Sequence, residues 1–472
     1  MTDLSIAVNQ ILSKRADYET AQAYYEGAVE EVFASTSVKR ALKRTGDHFR
    51  LNFAATPVDA VNNRLEIASV SAISEEAGSY LDRAWASNEL QLEIAQVHKN
   101  ALIYGDAYLV LWPYEEGFQV FYNSPKNTCV IYDEENPRLK RYAAKVWAVP
   151  VSDSDKPRQK TRVNLYYPGR IEKYISRAER LPMTPKHSDF EPYVDEYTDA
   201  DGVMPNPLGF VPVYHFRTEH PEGKPEHLLA YGAQDMINKL AITQMAANDF
   251  HGFPQRYVLA DDSSTEATDF GEDSEENTSL GNNPGETLWL QRVKEVGQFK
   301  AADPRTFLEP LREYIRSLAV ITSTPVHYFQ PTGNVPSGEA LRVAEAPLVK
   351  KVRTRQLSFG STWREAFMGI LAIGGFKEDV QVHWKSIETF DTKESWEIAY
   401  KKMQTGLPFA QVMSEQGYDA ALVEMWDAER KAALEASQGL SEGRTGSGTT
   451  PVQPADTAAL DDGSGGGEQK AA

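Results

Sequence analysis

Residues Thr324 to Glu345 read TPVHYFQPTGNVPSGEALRVAE, and a helical pattern lies on each side of them. On the N-terminal side, Leu311, Ile315, Leu318 and Ile321 fall on one face and predict a helix over Leu308–Ser323. Pro310 is expected in its first turn, where no N–H partner is lost. On the C-terminal side a helix is expected to begin after Ser337 and to run to Ala372, interrupted or kinked at Pro347. Between the two, Pro331, Gly333, Asn334, Pro336 and Gly338 fix turns and permit positive φ. A loop of this kind reads either as a surface linker or as a presented binding element, since Tyr328, Phe329 and Gln330 stand among its stiff turns.

Working outward, the helix after Ser337 is the most basic stretch of the chain, with Arg342, Lys350, Lys351, Arg353, Arg355 and Arg364. Leu341, Leu348, Val352, Phe359, Trp363 and Phe367 supply its apolar contacts. Upstream, Leu229, Ala233, Met236, Ile237, Leu240, Ala247 and Phe250 follow helical spacing until Gly252 and Pro254 stop the run. Ala230, Ala241, Ile242, Met245 and Ala246 make its other faces small or apolar, so this helix needs neighbours on more than one side. RYVLA and TLWLQRV are read as two strands bracketing an acidic island, Asp261 to Gly285, which contains no Lys or Arg and reads as a solvated loop.

The first part opens with a helix expected over Leu4–Glu31, followed by helical patterns over Val58–Tyr80 and Leu90–Tyr104. Short β-branched and aromatic runs follow (AYLVLWP, FQVFYN, TCVIYD, RYAAKVWAV, RVNLYY, RIEKYISR), separated by turn residues. They predict a mainly antiparallel sheet with helices on one side, an α+β arrangement. Met183–Gly209 reads as a long loop before the strand FVPVYHF. After VQVHW come helices near Lys393–Thr405, Pro408–Glu415 and Asp419–Ala436. From about Gln438 onward the chain has too few large apolar residues to offset the entropy of ordering.

The 472 residues carry 49 basic and 68 acidic side chains, a net charge of −19, which argues against tight wrapping of nucleic acid or anionic membrane. Brief or sliding contact with DNA stays open. Cys129, the single cysteine, cannot form an internal disulfide and reads as an inert strand residue. No signal segment is evident, and the longest nearly unbroken apolar stretch, Met368–Phe376, is too short to span a bilayer, so a soluble protein of a reducing cytoplasm is expected. No phosphate-cradling loop, dinucleotide fingerprint, HExxH or GxSxG elbow is present, and no catalytic residue or cofactor is assigned. His215, His220 and His227 lack the spacing of a helical ligand pair and read as ordinary loop and strand histidines, so no metal is expected.

Three stretches carry a resemblance: NALIYGDAYLVLWP (Asn100–Pro113), LLAYGAQDMINKLAITQMAANDFHGFPQRYVL (Leu228–Leu259) and TSTPVHYFQPTGNVPSGEALRVAE, whose SGEALR opens a long helix after a Pro/Gly loop. They resemble the portal proteins of tailed, siphovirus-type bacteriophages. With the order of parts, the resemblance spans about Leu4–Ala436 and leaves out the acidic island and the tail.

The resemblance implies a dodecameric ring at one capsid vertex, a conduit for DNA packaging and ejection. It implies a wing over 1–225, stem helices over 226–252 and 304–324, and between them a clip over 253–303 carrying the acidic insertion 261–285. A tunnel loop over 325–336 would follow, then a tunnel helix over 337–375, a return strand over 376–392 and crown helices over 393–436; the remaining 437–472, outside the resemblance, is expected from its composition to be a disordered tail. Tyr328, Phe329, Gln330, Thr332 and Asn334 would face DNA in the tunnel loop. Lys350, Lys351, Arg353 and Arg355 would be phosphate contacts, although a solvated face or pairing with acidic neighbours accounts for them as well.

The implied partners are the terminase large subunit, a head-completion adaptor, the major capsid protein and scaffold, and double-stranded DNA bound weakly without sequence preference. No membrane is among them, and the protein would reside in the virion after synthesis in the host cytoplasm. Charge agrees with this, since a strongly basic channel would hold DNA and slow its passage. Another phage head or connector protein, or a soluble enzyme with an unrecognised site, are the competing readings.

Overall fold

A computed structural model describes residues 2–29, 51–114, 117–151, 158–252, 256–260, 293–298, 305–329, 337–387, 392–416, 418 and 420–442. Strand β2 (Asp106–Tyr114) explains how its layers stack. Ala107, Leu109 and Leu111 join one apolar cluster while Tyr108 and Val110 join another, because successive side chains of a strand point to opposite faces. β2 is the centre of an antiparallel three-stranded sheet, between β3 (Gly117–Asn123) and β10 (Val213–Arg217).

The first face of that sheet packs on α4 (Leu90–Tyr104) and on the long helix α7 (Gly338–Ile373), with Val97, Ala101, Phe359, Trp363 and Phe367 in one core. The second face meets Val130, Ala143, Tyr166 and Ile171 of a six-stranded sheet. Its path runs through β4 (Thr128–Tyr132), β5 (Lys140–Val151), β6 (Arg158–Tyr166), β7 (Arg170–Ser176) and β8 (Phe190–Pro192), with β9 (Val203–Pro205) also on β7. β5 alternates in its turn: Ala143 faces the smaller sheet, whereas Tyr142, Ala144 and Val146 face α1 (Asp3–Glu26) through Leu4, Ala7, Val8 and Ile11. Burying each of the larger of these helix side chains contributes about 1.5–3 kcal/mol. The order is helices, sheet, sheet, helix, so helices cover both outer faces where the sequence predicted one.

Two other readings are corrected in this part. Val58–Tyr80 is not one helix: α2 (Thr56–Asn62) and the start of α3 (Glu75–Ser87) are separated by β1 (Ile67–Ala72). β1 pairs antiparallel with β13 (Val380–Trp384), and that distant partner overrides the local pattern. The loop expected over Met183–Gly209 contains β8 and β9, both short edge additions to β7.

Gly105, at φ +87°, lets α4 turn directly into β2. A Cβ there would lie 2.6 Å from the Gly223 carbonyl carbon, and one on Gly223 would lie 2.0 Å from the Gly105 oxygen, so this crossing requires glycine on both strands of chain.

The second region is a helical hairpin. α5 (Tyr231–Gly252) and α6 (Arg305–Ile321) pack together, with antiparallel β11 (Arg256–Ala260) and β12 (Val293–Gln298) between them in sequence. β12 overlaps the strand expected from TLWLQRV only at Val293; the rest of that expected strand, 287–292, and the acidic island lie outside the described residues. Pro310 sits in the second turn of α6 rather than its first, since the helix extends at least to Arg305. α7 is one helix across Pro347, capped by Ser337 accepting from the Ala340 amide. α8 (Thr392–Gln404), α9 (Phe409–Glu415) and α10 (Ala420–Glu442) follow, and α10 passes beyond Ala436 into the stretch expected to be tail; 443–472 lies outside the described residues.

Candidate functional site

The site is the turn where α6 hands over to α7. Ile315, Leu318 and Ala319 of α6 meet Ala230 and Ile237, and Phe329 closes the cluster at 7% exposure. Gln234, buried on α5, accepts from the Phe53 and Ala54 amides at 2.7 and 3.0 Å and donates to the Leu51 carbonyl, pinning the hairpin to the first part of the chain. Tyr24 of α1 stacks on Tyr231 at 3.8 Å and donates to Asp235 at 2.9 Å. α6 ends with the Thr322 hydroxyl donating to Leu318 O, 2.7 Å, and Ser323 at φ +52°.

A short 3-10 turn, Val326–Tyr328, follows. The Arg64 guanidinium donates to the Tyr328 hydroxyl at 2.7 Å and pairs with Glu345 of α7 at 3.1 Å, so it holds the loop entry against the start of the long helix. Tyr328 is partly exposed at the rim. Phe329, expected to face DNA, is instead a core residue, because the apolar faces of α5 and α6 leave a space that an aromatic ring fills. Gln330, Thr332 and Asn334 lie outside the described residues.

The expected phosphate contacts separate into two pairs. Lys350 and Arg353 are exposed on α7. Lys351 and Arg355 are not available: both bind Glu226, at 2.7 and 2.8 Å, and the carboxylate between them is 2% exposed. Arg355 also donates to the Thr218 carbonyl, and Lys351 to the Thr322 carbonyl at the end of α6. A buried carboxylate needs counter-charge, and α7 presents these two cations one turn apart. Burial pushes the Glu226 pKa up, but Lys351 and Arg355 with their hydrogen bonds more than offset that and hold it below its ordinary value. Sequence reasoning missed Arg64 and Glu226; neither sits in a motif, and Glu226 is a single acid beside Pro225 with nothing local to mark it as buried.

The three histidines part company. His215 binds Asp106 at 2.9 Å, and Asp106 also accepts from Tyr18 at 2.8 Å. Burial outweighs the carboxylate and lowers the His215 pKa. His227 meets the Ala21 carbonyl at 2.9 Å, and burial lowers its pKa to about 4. Among the described residues no group of three His, Cys, Asp or Glu side chains is placed to hold a metal ion. Cys129 is buried on β4, its thiol pushed up to about 12 by desolvation. No helix among the described residues is long and apolar enough to cross a membrane.

Residues 7–416 match the family described as phage portal protein, SPP1 Gp6-like. The chain belongs to this portal protein family. The portal protein of Mycobacterium phage D29 is 24% identical over 397 residues, covering 76% of this chain and 74% of that protein. The portal protein of Mycobacterium phage L5 is 23% identical over 388 residues, covering 74% and 70%. Among solved structures, a chain from the neck of a native gene transfer agent particle, computed with C12 symmetry, aligns over 85% of this chain and 98% of its own. Its identity is 14% and its TM-score 0.42. As a portal protein the chain is a structural component of the phage head, not an enzyme, and belongs to the virion capsid.

Proposed function

We propose that this portal protein forms a closed ring of twelve subunits at a single capsid vertex, through which double-stranded DNA passes inward during packaging and outward at infection. The observation that carries the ring is the set of apolar side chains left exposed on the elements of the helical hairpin and on α7. Leu229, Val320, Val343 and Leu357 are 67, 74, 72 and 73% exposed, with Ile321 and Val326 near them. Large apolar side chains left this exposed favour a covering partner, and heterologous contacts between identical subunits can close into rings.

In this reading 1–225 is the wing and α5 with α6 the stem. The clip, 253–303, receives the terminase large subunit and later a head-completion adaptor, while the outer wing meets the major capsid protein and scaffold. Residues 337–375 form the tunnel helix, 376–392 return to the wing and 393–436 are the crown, inside the capsid. Tyr328, Gln330, Thr332 and Asn334 touch DNA as neutral groups, and Lys350 with Arg353 supply the phosphate contacts. Such contacts are weak per subunit and sequence-independent. Synthesis in the host cytoplasm follows from assembly with these partners.

The test is native mass spectrometry and axial negative-stain images of the full chain, with a deletion of 330–335 that retains Phe329. Twelve-subunit rings that survive the deletion, in virions that no longer package or retain full-length genomes, are expected. Monomers or dimers in several salts at micromolar concentration would refute the ring, and normal packaging by the deleted chain would move the channel away from this loop.

A further inference from the structure

Farther along α7 from the Glu226 clamp, the helix forms one wall of a cavity of about 690 Å³. The opposite walls come from β10, the loop after it and the turn between β4 and β5. Lys140 and Glu365 both line it and pair with each other at 2.6 Å, so their charges cancel. Arg138 and Arg217 have no carboxylate partner among the described residues. Arg217 lies over the Tyr132 ring at 4.7 Å and donates from Nη1 to the Pro221 carbonyl at 2.8 Å, while its Nε is buried without a hydrogen-bond partner.

The two guanidiniums act together on their surroundings: after burial, the charges of Arg217 and then Arg138 hold the nearby His220 below its ordinary pKa. Ser361 adds a hydroxyl to the α7 wall, whereas the Thr362 hydroxyl beside it donates to the His215 carbonyl at 3.3 Å. In a chain of net charge −19, two uncompensated guanidiniums converging on one concavity form a local positive site. Guanidinium N–H groups match the oxygens of a tetrahedral anion, and a hydroxyl adds to its hydrogen bonding. We propose that this cavity binds a phosphate group, held by Arg217 and Arg138 with the hydroxyl of Ser361. The site is distinct from the channel loop, and its occupancy does not depend on how many subunits close the ring.

The phosphate comes either free or from a nucleic-acid backbone, and one experiment separates the two. Equilibrium dialysis of the full chain against labelled inorganic phosphate, at fixed ionic strength in chloride, should show saturable binding of one phosphate per subunit. Arg138→Ala, at an exposed side chain, should weaken it at least tenfold, while Lys377→Ala, which removes the same charge elsewhere, should leave it unchanged. Displacement of the phosphate by a duplex of about 20 base pairs assigns the source to a DNA backbone; saturable binding that the duplex does not displace assigns it to free phosphate. Absence of saturable binding, or equal weakening by both variants, overturns the proposal.

Discussion

Glu226→Gln keeps the outline of a side chain that is 2% exposed but leaves Arg355 and Lys351, 10 and 18% exposed, facing a neutral amide. Removing one partner of a buried ion pair costs about 3–5 kcal/mol, because the remaining charge has no compensation. The glutamine oxygen can still accept from one cation, so the lower end, about 3 kcal/mol, is expected. The damage falls at a junction, since the same two cations tie the Thr218 and Thr322 carbonyls to α7. Guanidinium unfolding followed by tryptophan fluorescence reports it through Trp363, 1% exposed on that helix.

Acid gives an independent check with a definite sign. The folded carboxyl pKa is held below its ordinary 4.5, so its stabilisation is present above that pH and is lost as pH falls through the folded value. Wild type and Glu226→Gln should therefore differ most near neutrality and converge in acid. A destabilisation under about 0.5 kcal/mol, ordinary for a surface substitution, would refute the clamp, and so would a difference independent of pH.

Phe329→Ala should cost about 3 kcal/mol in the same unfolding assay, as for a buried aromatic ring, rather than alter DNA passage in a stable protein. Gly105→Ala, which brings a Cβ to 2.6 Å from the Gly223 backbone at positive φ, should lower stability by about 2 kcal/mol or more and expose the α4–β2 junction to proteolysis. Lys350→Ala and Arg353→Ala should each leave unfolding within about 0.5 kcal/mol, while each lowers the slope of log DNA affinity against log salt by about 1, the effect of leaving one phosphate un-neutralised. Removing 443–472, a stretch with few large apolar residues, should leave melting and assembly nearly unchanged by calorimetry and native mass spectrometry.

Local periodicity made most elements legible. Leu90–Tyr104 matches its expected bounds, and the aromatic and β-branched runs became β2 to β7 because each alternates over a two-faced sheet. β1 was not legible: IASVSA is strand only because β13 arrives beside it from more than 300 residues away. At the site, type and position of charge were readable but not direction. Lys350 and Lys351 are adjacent and chemically identical, yet consecutive helical residues lie about 100° apart, which puts one in water and the other on a buried carboxylate. Phe329 is misleading for the same reason, since an aromatic in a turn looks alike whether it faces a channel or a core.

The distribution of charge along α7 bears on how a conduit tolerates DNA. Of its six basic residues, Lys351 and Arg355 share the single carboxylate of Glu226 and Arg364 pairs with Asp379, so at least half of them are engaged within the fold. Composition alone overstates the cationic face. With Lys350 and Arg353 as the exposed cations of its central turns, each subunit offers a duplex few phosphate contacts, and each contact formed adds a counterion-release term that must be reversed for the duplex to move. Summed around a ring, even one such contact per subunit would give a steep salt dependence. The buried pairing of Lys351 and Arg355 with Glu226 therefore fixes α7 against the first part of the chain and the end of α6, and in the proposed conduit it would also limit how strongly a passing duplex could be held.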